Sequence, residues 1–281
     1  MASKLRLWQR DQDIITEAGR SPLLTRQIAR LLNFPSTKKC AERLCLLHRA
    51  GLLKREPSYQ PAMRGKAENQ YRTGARPHPR TLPHTIAIAD VRVQAAEWQR
   101  TVPSYNIDFF YSYEVSTTSG LRPDATLLVH HAGRTALVFV EIDLGTEPVT
   151  STLGYSLLGK LRSYADYFDA GAYQQDFSWA GTLRGFRVAL IVPAGRLPQV
   201  QHVVTAEHHD FVLLTTSERC KQGFHHAIWV NHDGVTVDVL GRPGDLVGDS
   251  MGEQVKPPIP TTPRSNPRPG NNFGLGAGEG F

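Results

Sequence analysis

The chain has 281 residues, of which 40% are hydrophobic and 21% are charged, and its mean hydropathy is −0.32. This length is enough for two domains of about 100–200 residues each. No apolar run approaches the ~18–20 residues of a membrane span, and the N-terminus lacks the apolar segment of a secretory signal. Three cysteines without a Cys-x-x-Cys pair disfavour a disulfide framework and a thiolate zinc site. We therefore expect a soluble, cytoplasmic protein.

Positive charge is concentrated in the first third of the chain. Residues 1–80 hold 17 Lys and Arg against 6 Asp and Glu, whereas residues 81–281 hold 15 against 20. Basic clusters favour polyanions, because each phosphate contact releases counterions. The distribution therefore predicts a basic module that binds nucleic acid, followed by a mildly acidic module. A basic surface that is merely well solvated is the alternative.

Helical patterns fill the basic module. Asp11–Glu17 predicts a short helix, and Ser21-Pro22 predicts the start of a second one, with an N-cap followed by proline at the first helical position. Ser36 is the predicted N-cap of a third helix, which ends at Gly51. Two short strands around a basic loop are predicted at Leu52–Arg55 and Gln70–Thr73.

This order of three helices and a basic hairpin resembles winged helix-turn-helix DNA-binding domains. Such domains place a recognition helix in the major groove. The resemblance implies double-stranded DNA as the partner, and a helical module that binds protein is the alternative. The DNA-binding residues that it implies, three on the third helix and two in the wing, are Lys38, Lys39, Arg43, Arg64 and Lys66.

A second domain, of the α/β or α+β class, is predicted after a basic, proline-rich linker. A helix between two apolar strands implies a crossover and some parallel pairing. The predicted division is 1–75 for the DNA-binding domain, 76–83 for the linker, 84–240 for the second domain and 241–281 for a Pro/Gly-rich tail that we expect to be disordered. The predicted elements of the second domain are His84–Arg100, Asp124–His130, Thr135–Asp143, Pro148–Phe168, Phe186–Pro193 and Phe211–Thr215.

Three carboxylates are predicted to meet at the end of a hairpin. Alternation along the strand places Glu141 and Asp143 on one face, and a turn centred on Ala132-Gly133 places Asp124 opposite Glu141. Acids this close repel each other in a low dielectric, and a hard cation, Mg²⁺ or Mn²⁺, would relieve that repulsion. The predicted metal ligands are therefore Asp124, Glu141 and Asp143. Ion pairs with Arg122, Arg134 or Lys160 are the structural alternative.

The same residues resemble a known superfamily. Pro123-Asp124, a turn, and the strand ending Glu141-x-Asp143 resemble PD-(D/E)XK nucleases, in which a hairpin flanked by helices carries metal-binding acids. More specifically, the strings RPDA, VFVEIDLGTE and KLRSYADY, with HTIAIADVRV before them, resemble the replication-relaxation family of plasmids and integrative elements. The resemblance covers about residues 11–215. It implies a restriction-endonuclease-like mixed sheet flanked by helices.

One position departs from the superfamily pattern, which has lysine two residues after the glutamate, where this chain has Asp143. The resemblance implies that Lys160, on the following helix, supplies the missing cation. It also matches Glu97 to the acid that the first helix often contributes. The catalytic residues implied are then Asp124, Glu141, Asp143 as third ligand or water-orienting base, Lys160 and Glu97.

The predicted function is DNA processing on a mobile element. The basic module would bind an origin-like site on a plasmid or integrative element, and the second domain would nick or cut the DNA there with a divalent metal ion. The alternative is a non-catalytic replication initiator, copy-control factor or transcription factor with a degenerate nuclease fold. The aspartate at position 143 favours that alternative.

Overall fold

The computed structural model describes residues 6–57, 68–74, 81–151 and 156–242. Arg64 and Lys66 of the predicted wing lie outside the described residues, as do most of the predicted linker and the segment 243–281. No helix among the described residues is both long enough and apolar enough to cross a membrane. Cys40, Cys45 and Cys220 are free thiols.

Three helices and a three-stranded sheet form the N-terminal module, which comprises residues 6–57 and 68–74. The sheet is antiparallel, in the order β1-β3-β2. Apolar side chains of the helices and of β3 form one core between these elements. The elements are α1 (Gln9–Arg20), β1 (Leu23–Leu24), α2 (Thr25–Leu31), α3 (Thr37–Arg49), β2 (Lys54–Pro57) and β3 (Asn69–Arg72).

The predicted ends of α3 are confirmed, whereas the predicted start of α2 is wrong. Ser36 caps α3 by accepting a hydrogen bond from the Lys39 amide, and Gly51 follows the helix with a φ of +75°. Ser21, however, ends α1 with its N–H on the Glu17 carbonyl. The fully buried Leu23 and Leu24 pair with β3 instead of starting a helix, so tertiary pairing overrides the local Ser-Pro signal.

Helix α4 (Leu82–Thr101) is shared by two cores. Ala89 and Val93 pack into the core of the N-terminal module, while Val91, Ala95 and Trp98 pack beneath the large sheet. Polar contacts join the same helix to α2: Arg26 donates to Asp90, and the buried Gln27 donates to the Ile86 carbonyl. The predicted division of the chain into domains stays a prediction.

The large sheet has seven strands in the order β10-β9-β8-β7-β6-β5-β4. Strands β4 to β6 are antiparallel, and β6, β7 and β8 are parallel, which agrees with the predicted mixed sheet. The strands are β4 (Asn106–Tyr111), β5 (Ala125–His131), β6 (Arg134–Ile142), β7 (Phe186–Val192), β8 (Val212–Thr216), β9 (Trp229–Val230) and β10 (Thr236–Val237), and the remaining helices are α5 (Leu157–Asp169), α6 (Ala172–Asp176), α7 (Leu197–Ala206) and α8 (Ser217–Cys220).

The predicted hairpin register is confirmed. Ala125 faces Val140 and His131 faces Arg134, around a turn in which Ala132 and Gly133 both have positive φ. The backbone N–H of Asp124 then bonds to the Val140 carbonyl. This register brings the start of β5 to the end of β6.

Helix α5 begins nine residues later than predicted. Ser156 is its N-cap, with the side chain accepting from the Gly159 amide at 3.1 Å. The first free N–H groups of the helix, on Leu157 and Leu158, bond back to the carbonyls of Pro148 and Val149. Pro148 and Val149 therefore lie against the first turn of α5 and do not form part of the helix.

The edge strand β4 is covered by the end of α1. The Phe109 carbonyl accepts from the Arg20 guanidinium at 2.9 Å, and the Tyr111 amide donates to Glu114 at 2.8 Å. Arg20 and Glu114 also pair with each other, at 2.7 Å between Nη2 and Oε2. The exposed backbone of the strand is thus partly occupied by side chains.

Candidate functional site

The candidate site lies at one edge of the large sheet, where β6 ends and β5 begins. Glu141 comes from the end of β6, Asp124 immediately precedes β5, and Lys160 and Tyr164 extend from α5. His84, in the first turn of α4, completes the group. We call these five residues the acid cluster.

Glu141 is the centre of the acid cluster and is only 2% exposed. Its Oε1 accepts from the Tyr164 hydroxyl at 2.5 Å, and its Oε2 forms an ion pair with the Lys160 ammonium. Burial, together with the nearby Asp124 carboxylate, raises the pKa of Glu141 to about 7. The side chain therefore holds a proton more readily than an ordinary glutamate.

Lys160 places a positive charge next to Glu141. Burial acts to lower the pKa of the ammonium, but the carboxylates of Glu141 and Asp124 outweigh that effect and raise it. Tyr164 stays protonated because burial and the Glu141 charge raise the pKa of its phenol. Both side chains are therefore hydrogen-bond donors to Glu141 at neutral pH.

Asp124 is held in place by two donors on a single oxygen. Its Oδ2 accepts from the Ile142 amide at 2.7 Å and lies 3.0 Å from His84 Nε2. The hydrogen bond to Asp124 raises the pKa of His84. Sequence patterns did not identify His84, although it opens the helix that carries the HTIAIADVRV string.

Asp143 does not join the acid cluster, contrary to the prediction that it is a third ligand. Strand β6 ends at Ile142, and the Asp143 carboxylate accepts from the Gly145 amide at 2.7 Å in a turn where Gly145 has a φ of +82°. Arg196 Nη1 lies 3.1 Å from both oxygens and makes a well-oriented hydrogen bond only with Oδ1. An ion pair and a local turn therefore replace the predicted role.

Glu97 is also separate from the acid cluster. Its carboxylate accepts two hydrogen bonds from Arg30, at 2.6 and 2.9 Å, on the side of α4 that faces the N-terminal module. His84 lies 13 residues earlier on the same helix, which corresponds to about 20 Å along the axis. The residue of α4 that reaches the acids is therefore His84, and the predicted match to Glu97 is not supported by its position.

Asp124 and Glu141, the two acids of the cluster, suit a metal ion whose other ligands are water and substrate. In the described ranges, no three His, Cys, Asp or Glu side chains are grouped as metal ligands. Mg²⁺, however, is commonly held by one or two carboxylates together with waters and phosphate oxygens. Asp124 and Glu141 meet that requirement, provided that Lys160 releases one oxygen of Glu141. Two carboxylates at one sheet edge, of which Asp124 accepts both of its described hydrogen bonds on Oδ2, are the set of donors that fits a hard cation.

The predicted DNA-binding residues of α3 differ in their surroundings. Lys38 and Lys39 are exposed, and Lys39 is 3.2 Å from Glu42. Arg43 instead forms an ion pair with Asp11, whose side chain is 1% exposed, and its guanidinium lies over the Trp8 ring. Arg43 therefore stabilises the contact between α1 and α3 and does not belong to the exposed basic surface.

Comparison with known proteins gives one family match. A family model described as Replication-relaxation matches residues 20–178. No curated protein matches the chain. Among solved structures, the restriction endonuclease FokI is similar, with 10% identity and a TM-score of 0.29 over 74% of this chain and 41% of that one. The chain thus spans less than half the length of that nuclease.

Proposed function

Because the chain belongs to the replication-relaxation family, we propose that it binds duplex DNA at an origin-like site of a plasmid or integrative element and nicks or cleaves it there with Mg²⁺ or Mn²⁺. The N-terminal module is the proposed winged helix-turn-helix, and the large sheet with α4 and α5 is the proposed PD-(D/E)XK nuclease domain. The order of strand, hairpin, helix and parallel strand in this domain supports that assignment.

The contact between Lys160 and Glu141 is the observation that carries the proposal. A lysine from the following helix reaches the acid of β6, although the residue two positions after that acid is Asp143. A buried acid with a raised pKa, a second acid and a lysine at one sheet edge form a group that is typical of a catalytic site.

The residues of the acid cluster have distinct proposed roles. Asp124 and Glu141 would hold the divalent ion, which activates water and neutralises developing negative charge when it is bound. Lys160 would contact the scissile phosphate and stabilise the additional charge of the transition state. Tyr164 would keep the Glu141 carboxylate oriented through its 2.5 Å hydrogen bond.

A nicking assay tests this function directly. Wild-type protein and supercoiled DNA carrying the element's origin should give nicked or linear DNA with Mg²⁺ and none with EDTA. Glu141→Gln and Lys160→Met should each lower the rate by about 100-fold or more, because each removes a charge that acts in the transition state. Arg162→Met is the matched control, since Arg162 lies on the same helix, is exposed and pairs with Glu207.

Unchanged nicking by both variants would contradict the proposed site. Origin binding without nicking by the wild type would favour the second candidate function, a non-catalytic initiator or copy-control factor. One observation supports that candidate: both oxygens of Glu141 already have partners, which is also the arrangement of a structural ion pair.

DNA binding should depend on the exposed lysines of α3. We expect Lys38→Gln combined with Lys39→Gln to weaken binding and to reduce the salt slope by about one unit for each phosphate that the variant no longer neutralises. Measurement of affinity between about 50 and 200 mM salt, a range typical for such slopes, checks this expectation, and an unchanged slope in the double variant would rule out this surface.

Arg43→Gln should instead lower the melting temperature, because it leaves the buried Asp11 without its cation. A thermal melt of this variant beside the wild type checks that expectation.

A further inference from the structure

The geometry points to His84 as the residue that positions Asp124 for metal binding, an inference that rests on the proposed metal-dependent function. His84 comes from α4, outside the hairpin that carries both acids. Its Nε2 donates to Asp124 Oδ2 at 3.0 Å, because a carboxylate can only accept. No sequence pattern assigned a role to this histidine.

The hydrogen bonds of Asp124 separate its two oxygens. Oδ2 has both donors, the Ile142 amide and the His84 imidazole. Within the described ranges, Oδ1 accepts no hydrogen bond, and the side chain is 15% exposed. One oxygen is therefore fixed by the protein while the other is left available to a cation. Residues that fix a ligand in this way commonly change metal affinity by 10- to 100-fold when they are removed.

The backbone of α4 is itself held near His84. The side chain of Gln27, which is fully buried, donates to the Ile86 carbonyl at 2.9 Å, two residues beyond His84. Gln27 also donates to Asp90 one turn further along. The imidazole thus extends from a helix turn that α2 fixes, and it can hold Asp124 in a single orientation at little entropic cost.

Metal affinity is the measurement that tests this inference. Free Mn²⁺ can be followed by electron paramagnetic resonance while it is added to full-length wild type, His84→Ala, His84→Gln and His202→Ala. We expect His84→Ala to bind Mn²⁺ 10- to 100-fold more weakly than the wild type. His84→Gln should recover most of the affinity, because its amide nitrogen can donate from a position close to that of Nε2.

The control variant and the folding check make the outcomes distinct. His202 is an exposed histidine of α7, so His202→Ala should bind Mn²⁺ like the wild type. Circular dichroism melts of all four proteins identify a variant that fails to fold. Wild-type affinity in a folded His84→Ala would overturn the inference, and so would a loss in His84→Gln as large as that in His84→Ala.

The result also separates this inference from the proposed function. A wild type that binds Mn²⁺ and needs His84 for it, yet does not nick DNA, would support the positioning role and refute the nuclease. A wild type that does not bind Mn²⁺ at millimolar concentration would overturn both.

Discussion

The wild-type protein is expected to lose stability as the pH rises from about 4.5 to 7, and Glu141→Gln should remove most of that loss. Burial, together with Asp124, raises the pKa of Glu141 from 4.5 in the unfolded chain to about 7 in the fold. Between these values the folded state binds more protons than the unfolded state, so the free energy of unfolding falls as the pH rises. A shift of this size corresponds to about 3 kcal/mol.

Urea unfolding at pH 4.5, 5.5, 6.5 and 7.5 gives the free energy of unfolding of the wild type and of Glu141→Gln. The effect is the difference between the two proteins in how far that free energy falls over this range. His84 should contribute in the same direction, because its pKa is also raised. Glu207→Gln is the control. The hydrogen bond from Arg162 lowers the pKa of Glu207, so this residue adds stability as the pH rises. Its replacement should therefore leave the decline in the free energy of unfolding at least as steep as in the wild type. A Glu141→Gln protein whose decline equals that of the wild type would show that the pKa of Glu141 is not raised in the fold.

Truncation of Trp98 to alanine is expected to lower the free energy of unfolding by about 3–5 kcal/mol, as is usual for a buried tryptophan. The same substitution should also make the N-terminal module unfold more easily. Trp98 is 2% exposed in the core beneath the large sheet, and Val93, on the other side of α4, is fully buried in the core of the N-terminal module. Because one helix completes both cores, we expect a single cooperative transition.

Coincidence of two probes tests this cooperativity. Far-ultraviolet circular dichroism reports the whole chain, and amide hydrogen exchange of α2 and α3 reports the N-terminal module. Both probes should give the same free energy of unfolding in the wild type, and Trp98→Ala or Val93→Ala should lower both values by the same amount. Two separate transitions, of which Val93→Ala moves only one, would mean that the N-terminal module folds independently.

Local patterns predicted those parts of the structure that depend on neighbouring residues. The hairpin register followed from a Gly-containing turn and from strict alternation, because a strand has only two faces. The same alternation placed Glu141 on the face that α5 covers, where Lys160 contacts it. The cap of α3 followed from Ser36, whose side chain bonds within three residues.

The errors arose where the decisive contact is distant in sequence or where a strand ends. Arg43 pairs with Asp11 across 32 positions, and His84 reaches Asp124 across 40, so no local spacing reveals either contact. Asp143 was assigned to a strand face, but the strand ends one residue earlier and the turn at Gly145 redirects the carboxylate to Arg196. Alternation holds only as far as the pairing does.

The contacts of Arg20 with β4 have a consequence for how the protein can be divided for study. An unprotected edge strand recruits other strands and promotes aggregation. Here the Arg20 guanidinium occupies the Phe109 carbonyl and anchors Glu114, which in turn occupies the Tyr111 amide. A fragment that begins at α4 lacks Arg20 and therefore presents the Phe109 carbonyl to other molecules, and Glu114 loses the cation that holds it near the Tyr111 amide. Fragments meant to isolate the large sheet should retain α1, or they will tend to self-associate through β4.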